Sequence, residues 1–415
     1  MLSAPDPLTN LLHRIEQALF GSLPDAVRHN ARIELLSSLA YGVFFAGTLA
    51  FLPAVLRRQG ATEAQLALYI TLSYVGQVLS PLSVSLARGR PAMATASFFW
   101  AISRTVFLLG LFVSNVEGLL LLAGIFWLAE ALPSPAYAQI MQESYPARFR
   151  GRAMAGVRIG MTLAILAATP IAGLLLDRYG DGPLHGVSSL FGVIAVIVMA
   201  YMRPLSGNVR PPTSIPLRGM LQIVRQDRTF LMYLATMVVY GLGGVMALPL
   251  YPIVQVSHLQ LSYTQIGYLA LIQSAFWLAG FAFWGRLLDE RGPIWLLRVA
   301  MLLAAVVPFM YSMASNVWLL IPAFVAQGLL QGAFELGATN AGIGLASQGR
   351  VLEYTALQTA TMGLRGMIAP FIGAALLGAG MPIAWVFVIS TVLVLVSFVM
   401  LQTLRSPEPE ANSGI

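Results

Sequence analysis

Pro146-Ala147-Arg148-Phe149-Arg150-Gly151-Arg152-Ala153-Met154-Ala155-Gly156-Val157-Arg158 is a basic run that leads directly into an apolar stretch. An ionised side chain at the centre of a bilayer costs on the order of 2.5–3.5 kcal/mol even on the lenient insertion scale. Arg148, Arg150 and Arg152 therefore mark a membrane surface, and residues 152–176 beyond them read as a membrane-crossing helix. Arg158 lies inside that crossing and needs a partner or a cavity. Gly156-Val157-Arg158 is echoed later as Gly363-Leu364-Arg365, again inside an apolar stretch.

Similar stretches recur along the whole chain, each about the 20 residues that a spanning helix requires. They cover 33–56, 63–87, 92–114, 117–142, 152–176, 185–203, 229–256, 264–288, 294–314, 317–345, 354–379 and 382–404. Of the 415 residues 58% are hydrophobic and only 10% charged, where a soluble domain carries about a quarter charged. The fold class expected is therefore an all-α integral membrane protein of about twelve helices. The one long polar interruption, residues 204–228, carries Pro204, Pro211, Pro212 and Pro216. It separates two six-helix halves, 33–203 and 229–404, flanked by an N-terminal segment 1–32 and a tail 405–415. Leu8, Leu11, Leu12, Ile15 and Leu19 repeat at helical spacing, which predicts an amphipathic helix on the membrane surface over roughly 8–20. No cleavable signal peptide is expected, because the N-terminus has no apolar core before a small-residue cleavage site.

Every basic residue is an arginine, and cysteine is absent. Thiolate metal sites and lysine chemistry are thereby excluded. His13, His29, His185 and His258 lie far apart, so no histidine metal site is expected. No phosphate-binding loop is present, so ATP does not drive the protein directly, and no cofactor is implied. The net charge of +7 does not point to nucleic acid, since the arginines sit between apolar stretches. Arg88, Arg90, Arg148, Arg150, Arg152, Arg203, Arg210, Arg218, Arg225, Arg228, Arg286, Arg291, Arg350 and Arg405 all follow even-numbered spans. The alternate connections hold only Arg57, Arg58 and Arg178. This asymmetry predicts that both termini and the central linker are cytoplasmic. A bacterial inner membrane is the expected location.

The halves repeat each other. Tyr41-Gly42 precedes Pro53, and Tyr240-Gly241 precedes Pro252, by the same interval. Glu130 and Arg158 in spans four and five correspond to Glu335 and Arg365 in spans ten and eleven. Parallel six-helix repeats are the architecture of one large class of secondary transporters.

Over residues 30–405 the sequence resembles the major facilitator superfamily. Its most specific match is Pro146 through Gly156, which resembles the family's cytoplasmic connection between helices four and five. Thr169-Pro170-Ile171-Ala172-Gly173 and Ala369-Pro370-Phe371-Ile372-Gly373 resemble the bend in helices five and eleven. Gly285-Arg286-Leu287-Leu288-Asp289-Glu290-Arg291-Gly292 resembles the signature loop between helices eight and nine. The resemblance implies a cytoplasmic gate formed by Arg286, Asp289 and Arg291 with Arg148, Arg150 and Arg152. The first-half counterpart, Leu82–Pro91, keeps Arg88 and Arg90 but has no acidic residue. The arginine that many drug-efflux members carry early in helix four is missing, with Gly124 near that place.

Arg104, Glu130, Arg158, Glu335 and Arg365 lie well inside apolar spans. Trp127, Glu130, Ser134 and Tyr137 share one helical face, as do Gln331, Glu335 and Thr339, and Gln358, Thr361 and Arg365. The resemblance implies that helices one, four, seven and ten line a central path. Glu130 with Arg158, and Glu335 with Arg365, are the expected charge pairs beside it, available for proton coupling or substrate contact. Alternatively, the pairs simply hold neighbouring helices together. Arg104 reads as a structural contact. Trp127, Tyr137, Tyr240 and Trp277, with Gln331 and Gln358, are the pocket candidates. The expected function is a secondary transporter of a small solute, working by alternating access, proton-coupled and monomeric. Export of amphipathic compounds is the leading reading and an organic-anion carrier the alternative. A non-transporting receptor or assembly factor on the same scaffold is a third reading. An enzyme is not expected, for want of a nucleophile or an acid–base pair.

Overall fold

The computed structural model describes residue 17 and residues 20–87, 90–205, 222, 223, 225–347 and 350–404. The surface helix expected over 8–20, most of the linker and the tail 405–415 lie outside the described residues. We number the helices in chain order. In the first half, α1 runs Asp25–Phe44 and continues through a π-helical turn, Phe45–Leu49, into Leu52–Arg58. Next come α2 (Glu63–Ala87) and α3 (Ala92–Thr105, tightening to 3-10 over Val106–Leu111). Helix α4 is broken into Val116–Ala131 and Ser134–Ser144 with a 41° bend between them. Helices α5 (Ala147–Tyr179) and α6 (Asp181–Met199) complete the half.

In the second half, α7 is Arg228–Met246 with a π-helical end, Ile253–His258. The long helix Tyr263–Ser312 is two arms meeting at Gly292, whose φ of 78° is non-helical. Those arms are α8 (263–291) and α9 (293–312). Then follow α10 (Ile321–Gly344), α11 (Val351–Gly378) and α12 (Ile383–Gln402). Among the described residues nine helices are long and apolar enough to cross a membrane, or ten with the bent α4. Helix α2 and the α8 arm are the other two spans expected from sequence. The all-α membrane fold is thus the one observed.

Local chemistry explains the boundaries. The Asn115 side chain caps α4 through Gly118 N (2.9 Å), and Asp227 caps α7 through Phe230 N (2.9 Å). Ser262 and Gln265 form a reciprocal capping box at the start of α8. Two differences from expectation matter. Helix α1 begins at Asp25 rather than 33, because Pro24 starts it and Val27, Asn30 and Ala31 are already buried. The basic run Arg148–Arg152 is not a loop but the first turns of α5, initiated by Pro146.

The repeat is geometric as well as sequential. Left-handed backbone occurs at Gly60 and Gln260 and again at Gly180 and Gly380, each pair two hundred residues apart. Inside the first half, Gly47 of α1 packs on Ser188 of α6, whose hydroxyl meets that of Thr48. Inside the second, Gly243 of α7 packs on α12, where the Ser390 hydroxyl donates to Gly243 O (2.7 Å). Small residues let backbones approach where lipid supplies no hydrophobic drive between helices. The halves meet along α2 with α11 and α5 with α8. Gly363 lies against Gln77 and Val78, and Gly267 against Thr169 O and Pro170. On the outside, Phe98, Leu121, Ile197 and Val399 are more than half exposed, an apolar surface that only lipid would cover.

Asn30 shows how polar groups are satisfied between helices. Fully buried, it donates to Arg203 O (2.7 Å) and Ser144 O (3.3 Å) and accepts from Arg203 N (2.9 Å). It ties α1 to the ends of α4 and α6. Asn30→Ala strands these backbone groups, each worth about 1–3 kcal/mol when left unpaired. We expect the thermal midpoint of the detergent-solubilised protein to fall by several degrees; an unchanged midpoint would deny Asn30 this role.

Candidate transport cavity

Two cavities open between the helices. The first, about 770 Å³, is lined from both halves, by Glu34, Tyr41, Glu130, Tyr137 and Arg158 on one side and Gln273, Trp277 and Gln331 on the other. The second, about 680 Å³, belongs to the second half and includes Tyr240, Phe334, Glu335, Gln358 and Met362. Gln273 and Gln331 line both, and their side chains lie 3.4 Å apart.

The charged residues named from sequence are here, but paired differently. Glu130 meets Arg104 of α3 rather than Arg158: both guanidinium Nη atoms reach the carboxylate, and Ser103 Oγ lies 3.0 Å from Oε2. Arg104 is 6% exposed, with its guanidinium carbon 4.4 Å from the centroid of the Tyr41 ring. Arg158 instead reaches across to Glu335 at 3.7 Å, joining the two halves. Arg365 has no carboxylate partner among the described residues. The expected pairs Glu130–Arg158 and Glu335–Arg365 are thus corrected, for a packing reason. Helix α5 lies on α1 and α8, and α11 lies on α7 and α2, so helices adjacent in sequence are not the principal neighbours. The contact expected of Arg104 with a neighbouring helix is present, but at the cavity wall rather than away from it.

Among the aromatic candidates, Tyr137 and Trp277 line the first cavity and Tyr240 the second. Trp127 lies outside both, one turn before Glu130 on the same helix, with its ring edge-on to Phe126 at 5.0 Å. Gln331 lines both cavities, and Gln358 the second, with its amide donating to Tyr233 Oη (3.1 Å) and Ala338 O (3.2 Å). The indole N–H of Trp277 has no hydrogen-bond partner among the described residues.

Sequence reasoning missed Glu34. It is 2% exposed, and its two carboxylate oxygens accept from Tyr137 Oη (2.8 Å) and Tyr145 Oη (2.6 Å). A first span starting at 33 puts Glu34 at a membrane surface; the helix from Asp25 carries it two turns inward. The signal was available in Pro24-Asp25, a helix start.

The family model of the Major Facilitator Superfamily matches the chain twice, over residues 35–256 and 232–415. The chain belongs to the major facilitator superfamily. The second match covers the second half, and the first covers the first half and runs on through the linker and α7. Among solved structures, the nucleoside transporter NupG, crystallised as a mutant, aligns with a TM-score of 0.72 at 10% identity over 90% of this chain and 99% of that one. A bacterial homologue of the human lysosomal transporter Spinster, inward-facing and unoccupied, aligns with a TM-score of 0.64 at 14% identity over 92% of this chain and 98% of that one. These likenesses concern the fold. No curated protein matches the sequence. Membership makes the protein a multi-pass membrane transporter of small molecules.

In such a superfamily member the state is read from which end of the halves is joined. Here it is the end away from the central linker. Arg57 Nε donates to Ser257 Oγ (2.8 Å), and Arg58 donates to Leu261 O while lying 3.7 Å over the Tyr263 ring. Asp177 of α5 accepts from Tyr263 N (2.9 Å), Thr264 N (2.7 Å) and Thr264 Oγ1 (2.6 Å). A carboxylate at the N-terminus of α8 is favoured by the helix dipole and by its free amides. At the other end the gate candidates make local contacts. Arg148 lies on Phe149, Arg150 donates to Tyr145 O, Arg152 reaches Ser22 Oγ and Arg291 lies on Trp295. Arg286 and Asp289 form no ion pair among the described residues.

Because the chain has no cysteine, a single introduced thiol reports access without background. In an Ala270→Cys protein, with the thiol in the first cavity, we expect Asp177→Ala to speed maleimide labelling from the clasped side by several-fold. Equal rates would mean that Asp177 does not hold that end shut.

Proposed function

We propose that the protein is a secondary active transporter that carries an amphipathic solute by alternating access, coupled to proton movement. The observation that supports this best is a central cavity, lined from both halves, whose far end is held shut by Arg57, Arg58 and Asp177, while at the linker end the gate candidates form no ion pair between the halves among the described residues. With both termini in the cytoplasm of a cell whose inner membrane holds the protein, this is the inward-open state. In the opposite state Arg286, Asp289 and Arg291 would meet Arg148, Arg150 and Arg152 to shut the cytoplasmic end.

Three carboxylates could carry the proton: Glu34, Glu130 and Glu335. Glu130 is held by a buried guanidinium, whereas Glu34 accepts from two phenols and feels Arg158 without a direct ion pair among the described residues. Glu335 is reached by Arg158 from the opposite half, so that rocking the halves apart would change its neutralisation. A lining of charges, Tyr41, Trp100, Tyr137, Met154, Met161 and Trp277 suits a solute with an apolar body and a polar group. We assign export as the direction, since such solutes enter from the bilayer and the cytoplasm. A receptor or assembly factor would not need these costly groups around an open cavity.

The test is internal pH in proteoliposomes holding the purified protein, read by an enclosed dye during additions of amphipathic solutes. We expect a solute-dependent proton flux, abolished in Glu34→Gln and in Glu335→Gln with the fold intact. Solute movement without proton flux would remove the coupling, and no movement of any solute would remove the transporter assignment at this site.

A further inference from the structure

Arg365 is the charge that the sequence paired with Glu335 and the structure does not. It is 6% exposed, and neither Nε nor Nη1 has a hydrogen-bond partner among the described residues. Glu335 points instead to Arg158. The groups that surround the guanidinium are the phenols of Tyr74, Tyr233 and Tyr240, with its carbon 5.5 Å from the centroid of the Tyr240 ring. Its side chain lies over Gly241, in space that a Cβ there would fill. The glycine of the Tyr240-Gly241 repeat thus makes room for this arginine.

Arginine does not shed its proton in proteins. A lone buried cation therefore carries a desolvation cost of several kcal/mol that only an anion offsets fully. A ring face contributes part of this, on the order of 2 kcal/mol when desolvated. Arg365 does not itself line either cavity, but Tyr240, whose ring it faces, lines the second. Tyr240 stacks on Phe334 at 5.0 Å and 23°, and both line the second cavity. Met362 and Gln358, one and two turns before Arg365 on α11, line it too. The remaining polar lining is neutral amide and hydroxyl, apart from Glu335, which Arg158 engages.

We propose that Arg365 is an anion-recognition group beside the second cavity, which shares Gln273 and Gln331 with the first, and that the solute is an organic carboxylate whose apolar body lies there against Tyr240 and Phe334. One unpaired guanidinium matches one carboxylate in charge, whereas a phosphate dianion would leave a buried negative charge unmatched. This rests on the transporter reading and names its substrate class: the amphipathic solute carries a single negative charge. It also separates the halves by task, with the first holding its arginine, Arg104, in a protein carboxylate and the second leaving its arginine for the solute.

The experiment compares phenylacetate, cinnamate and hexanoate with their own carboxamides, by thermal shift of the purified protein and by counterflow in proteoliposomes. The expected result is binding of the acids about tenfold to a hundredfold tighter than the amides. That preference should vanish in Arg365→Gln and survive in part in Arg365→Lys. Amides bound or moved as well as acids by the unaltered protein would overturn the inference while leaving the transporter reading standing. So would an acid preference that persists in a folded Arg365→Gln. Failure of every acid, with proton-coupled movement of a neutral solute retained, would overturn it as well. Absence of any movement or binding across solutes would remove both.

Discussion

A guanidinium or carboxylate inside an apolar slab must find an opposite charge, a set of hydrogen bonds or water, and the packing of this transporter is organised around that demand. Arg104 and Glu130 satisfy it within one half, closed by Ser103 and covered by the Tyr41 ring. Arg158 and Glu335 satisfy it across the two halves and sit where the cavity admits water, each roughly half exposed. Glu34 satisfies it with two phenols. The Arg104–Glu130 pair joins the consecutive helices α3 and α4, whereas Arg158 with Glu335, and Glu34 with its two phenols, join helices distant in sequence.

The same demand explains why the two ends of the molecule differ. At the clasped end, backbone groups do the joining: Asp177 takes the first free amides of α8, and Arg58 takes Leu261 O. These partners can be replaced by water when the halves part, so the clasp costs little to open. The core beneath it is of another kind, with Phe51, Leu52, Leu250 and Ile266 in one continuous apolar cluster. Between the halves, glycines let α2 approach α11 and α5 approach α8 closely. A π-helical turn interrupts each first helix of the repeat, before Pro53 in α1 and after Pro252 in α7, so the two halves bend at different places.

The pseudo-symmetry is close in backbone and loose in chemistry. Left-handed residues recur two hundred positions apart, and Tyr41-Gly42 and Tyr240-Gly241 occupy equivalent places. Yet Tyr41 faces an arginine from α3, and Tyr240 faces one from α11. Gly42 admits the backbone of α5, whereas Gly241 admits an arginine side chain. Duplication preserved the frame, and the charges inside it diverged to give one neutralised half and one with a cation to spare.

The number and kind of helices, the two halves and the inventory of intramembrane charges were legible in the sequence. Each follows from local terms: the length of apolar stretches, the cost of a charge within them, and a repeat that survives in Tyr-Gly and Gly-x-Arg. The partners of those charges were not legible. Spacing along a helix fixes which face a residue occupies but not which helix lies opposite, and connected helices such as α4 and α5 need not pack together. Glu34 stayed hidden because an error of about two turns in a helix start moves a residue between surface and interior. Tertiary packing alone decided that Arg158 reaches Glu335, that Arg104 takes Glu130 and that Arg365 is left over, because ion pairing depends on distances of a few ångströms between helices that only the folded bundle brings together.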